Sequence, residues 1–182
     1  MTDLPAALTR AAARRVPLLA AGVTFYRLLH TTETGGLLSL ERAGSVGILS
    51  LYQELGARAE GELLDRLIPE LPPLGLETLY LKRRPETASH RANVERGYLA
   101  PEDPCWGPPQ PTVPVQEGAR PFIIRPGGDL SVGLFADARL MRDWVQAQAA
   151  GCSVLNLFAY TCGFGLSAAL GGASAVKNVV SD

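Results

Sequence analysis

The stretch SVLNLFAYTCGFGLSAALGGA, residues 153–173, limits what this chain can fold into more than any other part of it. It opens on an apolar run, SVLNLF, that reads as a strand. A glycine-bearing loop follows, and then a helix of small residues, GLSAALGG. VKNVVSD reads as the next strand and ends at Asp182. Ahead of this unit, DARLMRDWVQAQAAG reads as a helix. Asp137 takes its N-cap position, Leu140, Met141, Trp144 and Val145 form an apolar face, and Gly151 ends it. Strand–helix–strand with a helix in front is the opening unit of a doubly wound α/β domain. A strand that runs through a glycine loop into a helix is also the usual seat of a nucleotide-like cofactor.

Gly163-Phe164-Gly165-Leu166-Ser167-Ala168 matches G-x-G-x-x-A, and Asp182 stands near the place of a ribose-binding acid. A nicotinamide dinucleotide is the first expectation from that pattern. In the dinucleotide fingerprint, however, the first glycine follows the strand almost at once. Here Ala159, Tyr160, Thr161 and Cys162 intervene after Phe158. The longer loop suits a ligand without a pyrophosphate, and S-adenosylmethionine is such a ligand. A strand–helix turn that binds nothing stays open on these residues alone.

The first half reads differently. Residues 5–19 form a short helix, VTFYRLLH a strand, and GLLSLERAGSVGILSLYQ two strands turned at Gly44. ARAEGELLDRLIPEL is a helix with Leu63, Leu64, Leu67 and Ile68 on one face, stopped by the prolines of PELPPLG, and ETLYLKRR is another strand. The result is a β-β-β-α-β module. YLAPEDPCWGPPQPTVP, residues 98–114, reads as a linker or a rigid surface loop. VPVQEGARPFIIRP reads as a hairpin turned at Glu117-Gly118. The fold class is therefore α/β plus α+β. Residues 1–21 are an N-terminal helix, 22–126 an α+β module, and 127–182 the start of a Rossmann-like domain.

With 47% hydrophobic residues in a chain of 182, there is enough apolar mass for a core. No apolar run reaches spanning length. Arg10, Arg14 and Arg15 precede an apolar patch, but a signal peptide would place its basic residues first and a cleavage site after the apolar run; here Asp3 comes first, the segment reads as an amphipathic helix, and a cytoplasmic protein is expected. Cys105, Cys152 and Cys162 have neither metal-ligand spacing nor a disulfide framework. Net charge is −1 and gives no global nucleic-acid signal. Locally, Lys82, Arg83, Arg84, Arg91 and Arg96 make a basic segment that reads as a solvated loop or as a phosphate-facing patch.

At these residues the sequence resembles a known family. VLNLFAYTCGFGLSAALGGA is similar to the LNLFxYTGGFSxxAxxGGA signature of the cytosine-C5 rRNA methyltransferases of the large-subunit methyltransferase I type. VGLFADARLMRDWV resembles that family's G-x-F-x-D-Q-R-x-x-R segment, and VTFYRLLHTTETGGLLSLERAGSVGILSLYQ its central module. The resemblance covers about residues 22–182. It implies an RNA-facing module, S-adenosylmethionine as cofactor, and a cytosine of 23S ribosomal RNA as substrate. Carried over residue by residue, it places Phe158, Tyr160, Thr161, Gly163 and Gly165 in the cofactor loop. Asp137 and Arg139, with Arg142, would brace the pocket, and Asp182 would hold the ribose. Ala138 replaces the usual Gln, and Cys162 the first glycine of TGGF. The family often begins with a PUA-type RNA-binding domain, where the sequence in hand reads as a short helix ahead of the module.

Cytosine C5 becomes nucleophilic only after a cysteine thiolate adds to C6, and a base then removes the C5 proton. None of the three cysteines stands where that nucleophile belongs, so no catalytic residue is assigned. The expectation is an N-terminal portion of a methyltransferase that by itself binds cofactor weakly and transfers no methyl group. A non-catalytic RNA-binding module with a vestigial cofactor loop is the second reading. Oligomeric state is left open.

Overall fold

The computed structural model describes residues 3–84 and 96–180. Helix α1 (Leu4–Ala20) starts where the Asp3 carboxylate accepts the Ala6 N–H, with Pro5 in its first turn. Strands β1 (Phe25–Leu29), β2 (Leu38–Ala43) and β3 (Val46–Leu51) run antiparallel in sequence order. Gly44, in the left-handed region at φ 58°, turns β2 into β3. Helix α2 (Ala57–Leu67) then crosses over to β4 (Thr78–Arg83), which pairs parallel with β3. The β-β-β-α-β order expected from the sequence is the observed one.

This four-stranded sheet is buried on both faces. On one face α1 and α2 pack Leu8, Ala11 and Leu67 against Leu28, Leu40, Leu49 and Leu79. On the other, Phe25, Ile48 and Tyr80 meet Val113, Val115, Ile124, Val132 and Leu134. The last five come from the hairpin of β5 (Val113–Glu117) and β6 (Arg120–Ile124) and from the extended segment after it. Both periodicities of β4 therefore point into core, which is why its strand is apolar on both sides.

The proline-rich stretch is a rigid loop and not a linker. It lies along β4: Leu79 N–H donates to the Trp106 carbonyl at 2.8 Å, Cys105 N–H to the Leu79 carbonyl at 2.8 Å, and Thr78 Oγ1 to the Pro108 carbonyl at 2.8 Å. Gly107 lies so close that a Cβ there would sit 2.0 Å from the Glu77 carbonyl oxygen. The short helix α3 (Arg96–Leu99) precedes it.

The remaining unit is small. A 3-10 turn at Ala136–Ala138 leads into α4 (Arg139–Gln148). Strands β7 (Ser153–Leu157) and β8 (Ala175–Val179) are parallel and are joined by α5 (Gly163–Leu170), which packs on one face of the pair and against α4. Two expectations need correction here. Asp137 is not the N-cap of α4: it lies within the preceding turn, and Ala138 takes the cap position without a side-chain bond. The apolar face of α4 is not inward either: Leu140, Met141 and Trp144 are 67, 56 and 59% exposed. The buried residue is Arg142, because its partner Glu117 lies across in the hairpin.

Candidate cofactor loop and the cleft between the modules

The turn between β7 and α5 is where the chain departs most from ordinary backbone geometry. Phe158, Tyr160 and Cys162 have φ of 53°, 48° and 62°. Non-glycine residues pay about 1–2 kcal/mol for the left-handed region, and such strain gathers at ligand sites. The glycines of the motif do not carry this strain. Gly163 and Gly165 begin α5, both buried. A Cβ on Gly165 would lie 2.2 Å from Asn178 Oδ1, so this glycine lets the helix approach β8. The glycine loop read from the sequence is thus residues 158–162, and the two glycines form the first turn of the helix after it.

Within that loop Thr161 Oγ1 donates to the Gly133 carbonyl at 2.6 Å. Tyr160 OH shares a hydrogen bond with Ser131 Oγ at 2.7 Å, and its ring lies 5.7 Å from that of Phe135. Phe158 is 84% exposed. Thr161, Cys162 and Gly165 border a cleft of about 540 Å³ together with Phe122, Gly133 and Asn178. Asp182 lies outside the described residues.

Arg139 and Arg142 act as internal ties. Arg139 pairs with Asp143 at 3.1 Å, one turn on. Arg142 donates to Glu117 at 2.8 and 2.5 Å and to the Phe135 carbonyl at 2.9 Å. It therefore joins the hairpin, the segment before α4 and the start of α5 in one buried contact. Arg120 adds to the cluster, facing Glu117 at 3.6 Å and hydrogen-bonding Asp143. Asp137 is exposed.

The basic segment does not form a phosphate-facing patch as a whole. Lys82 has no exposed surface, and its Nζ donates to the Asp129 carbonyl at 2.5 Å. Burial pushes its ammonium pKa down to about 8, helped by the charge of Arg84. Arg83 is held by the Glu60 carboxylate at 2.6 and 2.7 Å, which raises its pKa, and stacks over Tyr98. Arg84 donates to Ser50 Oγ and to the Leu130 carbonyl. Arg96 is exposed, and Arg91 lies outside the described residues. The correction has a physical reason: β4 is covered on both faces, so a cation on it must find a partner inside.

Sequence reasoning passed over Ser131 and Phe135, which touch the loop. Phe135 sits in the quoted segment VGLFADARLMRDWV, but nothing local marks it as a loop contact. Among the described residues no His/Cys/Asp/Glu group is arranged to hold a metal, and no helix is long and apolar enough to cross a membrane.

A parallel pair joined by a helix, with a strained loop at the strand end, is the strand–helix–strand unit of a Rossmann-like α/β protein. The model of the S-adenosylmethionine-dependent methyltransferase family matches residues 87–181, more than half of the chain, and the chain belongs to that family. Among curated relatives, the ribosomal RNA large subunit methyltransferase K/L of Dichelobacter nodosus (strain VCS1703A) is 34% identical over 132 residues, 67% of this chain and 16% of the relative. The protein of the same name from Psychrobacter sp. (strain PRwf-1) is 46% identical over 65 residues, 36% of this chain and 8% of its own. The chain spans less than a fifth of the length of these relatives. A structure described as a methyltransferase complexed with SAH superposes with a TM-score of 0.80 at 23% identity, over 97% of this chain and 43% of the other. A SAM-dependent methyltransferase structure from Streptococcus mutans gives 0.79 at 22% identity, over 97% and 44%. At these identities the likeness is one of fold.

The family's cofactor is S-adenosylmethionine, and the loop fits it. Thr161 and Cys162 of the loop and Gly165 after it border the cleft of about 540 Å³, a volume within the usual range of small-molecule sites.

Proposed function

We propose that this chain forms part of a methyltransferase of large-subunit ribosomal RNA, with C5 of a cytosine in 23S rRNA as the methylated atom. The observation that carries the reading is the strained loop 158–162 at the end of β7, in a chain of the S-adenosylmethionine-dependent family. The names of the relatives point to ribosomal RNA, and the cytosine follows from the resemblance of the loop signature. Phe158, Tyr160 and Thr161 hold the cofactor, Gly163 and Gly165 seat the loop on α5, and Asp182 takes the ribose. Asp137 and Arg139 stand beside the pocket, and Arg142 braces it from inside. Residues 22–126 are the RNA-facing module and 127–182 the cofactor domain, with 1–21 as a helix packed on the former.

S-adenosylmethionine supplies an electrophilic methyl group. This chain's share is to bind, orient and present. The thiolate needed at cytosine C6 is not assigned to any cysteine here. Cys105 is exposed as a residue, yet its thiol donates to the Leu79 carbonyl at 3.3 Å, and burial pushes its pKa up to about 11. Cys152 donates to main-chain carbonyls, and Cys162 is a helix cap. The purely RNA-binding alternative loses support, since three of its five cations, Lys82, Arg83 and Arg84, are committed to partners within the chain.

The test is nucleoside mass spectrometry of large-subunit rRNA from cells with and without the gene. Loss of one 5-methylcytidine is the expected result. Loss of a methylated guanosine or adenosine instead overturns the cytosine assignment and leaves the rRNA reading. An unchanged methylation pattern overturns both.

A further inference from the structure

Loop 158–162 keeps three non-glycine residues in the left-handed region. Strained backbone persists only where its surroundings over-determine it. The main chain is pinned where Ala159 N–H donates to the Val179 carbonyl at 2.9 Å and Cys162 N–H to the Ala159 carbonyl at 2.7 Å. Both hydrogen bonds that the loop's side chains make among the described residues end on one short stretch, residues 129–133. Tyr160 OH meets Ser131 Oγ at 2.7 Å, and Thr161 Oγ1 donates to the Gly133 carbonyl at 2.6 Å.

That stretch is itself held from the other side. Val132 is buried in the core of the central sheet, beside Phe25, Ile48 and Tyr80. Lys82 Nζ donates to the Asp129 carbonyl at 2.5 Å, and Arg84 Nη2 donates to the Leu130 carbonyl. Arg84 is fixed in turn by its Nε, which donates to Ser50 Oγ of β3 at 3.2 Å. Five consecutive residues therefore form a strap. Its first two carbonyls belong to the central module, its third side chain and fifth carbonyl belong to the cofactor loop, and Val132 sits in the core between them. Lys82 has no exposed surface. An ammonium costs more to bury than an apolar side chain of like size, so packing alone does not account for it. Fixing the strap does.

We propose that Lys82 and Arg84 are positioning residues for the cofactor: acting through residues 129–133, they hold Tyr160 and Thr161, and with them the strained loop, in the shape that binds S-adenosylmethionine. The proposal rests on the reading of 158–162 as the cofactor loop. It adds that the central module sets the affinity of that loop.

Residue-resolved amide hydrogen exchange of the cofactor-free chain, with S-adenosylhomocysteine titration of each variant, tests it. Ala159 and Cys162 N–H report the loop, and the β2–β3 ladder reports the central module. Arg84→Met should weaken S-adenosylhomocysteine binding about fivefold, the worth of one hydrogen bond. Exchange at Ala159 and Cys162 should rise by at least as much, because the affinity lost cannot exceed the growth of the opened state. The β2–β3 ladder should exchange as in the parent. Tyr160→Phe with Thr161→Val already lacks both ties, and there Arg84→Met should add nothing to loop exchange. Lys82→Met is read in parallel, so that a failure of either variant to fold leaves the other.

Loop exchange and affinity equal to the parent's overturn the positioning role. So does faster exchange that spreads equally to the β2–β3 ladder or adds in the background without ties, since both mark a general loss of stability. Faster loop exchange with unchanged affinity overturns it as well. A parent that does not bind S-adenosylhomocysteine overturns the cofactor reading of the loop, and the positioning role with it.

Discussion

Cys162 is the residue where sequence and geometry disagree most sharply. It occupies a left-handed conformation, φ 62° and ψ 22°, at the cap of α5, where the resembling family carries glycine. Cys162→Gly should therefore leave the fold intact and raise stability by up to about 1 kcal/mol, because glycine is free of the Cβ clash. Thermal unfolding of the two proteins checks this. Lys82 supplies a second case. Its folded pKa of about 8 lies below the ordinary 10.5, so between these values the unfolded chain holds more protons than the folded one. Its contribution makes stability rise with pH across that window, by at most about 1.4 kcal/mol per pH unit, and is flat below about 8. Cys105 works the other way, since its thiol pKa is raised from 9.0 to about 11 and the folded state keeps the proton longer. The difference between the parent and Lys82→Met isolates the lysine. Denaturant titrations on either side of the window should show the parent gaining on the variant as pH rises. No gain would remove the buried-ammonium account.

At the scale of elements, the Arg142–Glu117 contact joins the hairpin to α4. Both side chains are almost wholly buried, at 3% and 0% exposure. Arg142→Met leaves Glu117 with only Arg120 nearby and should cost about 3–5 kcal/mol. Denaturant unfolding measures that loss, and a change under 1 kcal/mol would contradict the bracing role. This contact also shows what a sequence can and cannot disclose. The strands and helices were legible because each carries its own period, as in VTFYRLLH or ARAEGELLDRL. The turn at Gly44 was legible from glycine chemistry, and so was the hairpin turn, one residue on from the expected Glu117-Gly118: Glu117 ends β5 and the turn is Gly118-Ala119. The outward face of α4 was not, since Leu140, Met141 and Trp144 have the spacing of an inward stripe. The choice of Arg142 as the buried residue depends on a glutamate 25 positions away. Lys82 misled for the same reason: a cation in KRR reads as surface until both faces of its sheet are known to be covered. Of the candidate site, the loop itself was readable, whereas Ser131 and Phe135 became visible only through their contacts with Tyr160.

For the molecule as a whole, the central module is closed and the cofactor unit is open. Leu155, Leu157 and Val179 lie 59, 56 and 40% exposed on the face of the β7–β8 pair away from α5, in addition to the bare apolar stripe of α4. Exposed apolar surface of this kind drives association. The purified chain should bind a hydrophobic dye and sediment faster with concentration, and Trp144→Glu with Leu157→Glu should reduce both. Monodisperse behaviour of the parent at high concentration would argue against it. The joint between the two parts has a different character. Lys82 and Arg84 grip residues 129 and 130 through main-chain carbonyls. Every amino acid carries that same oxygen, so substitutions at Leu130 leave the grip in place. The identity of the residues at this seam can thus change while both hydrogen bonds persist. Relatives can therefore share the arrangement of the two modules with little identity at the seam.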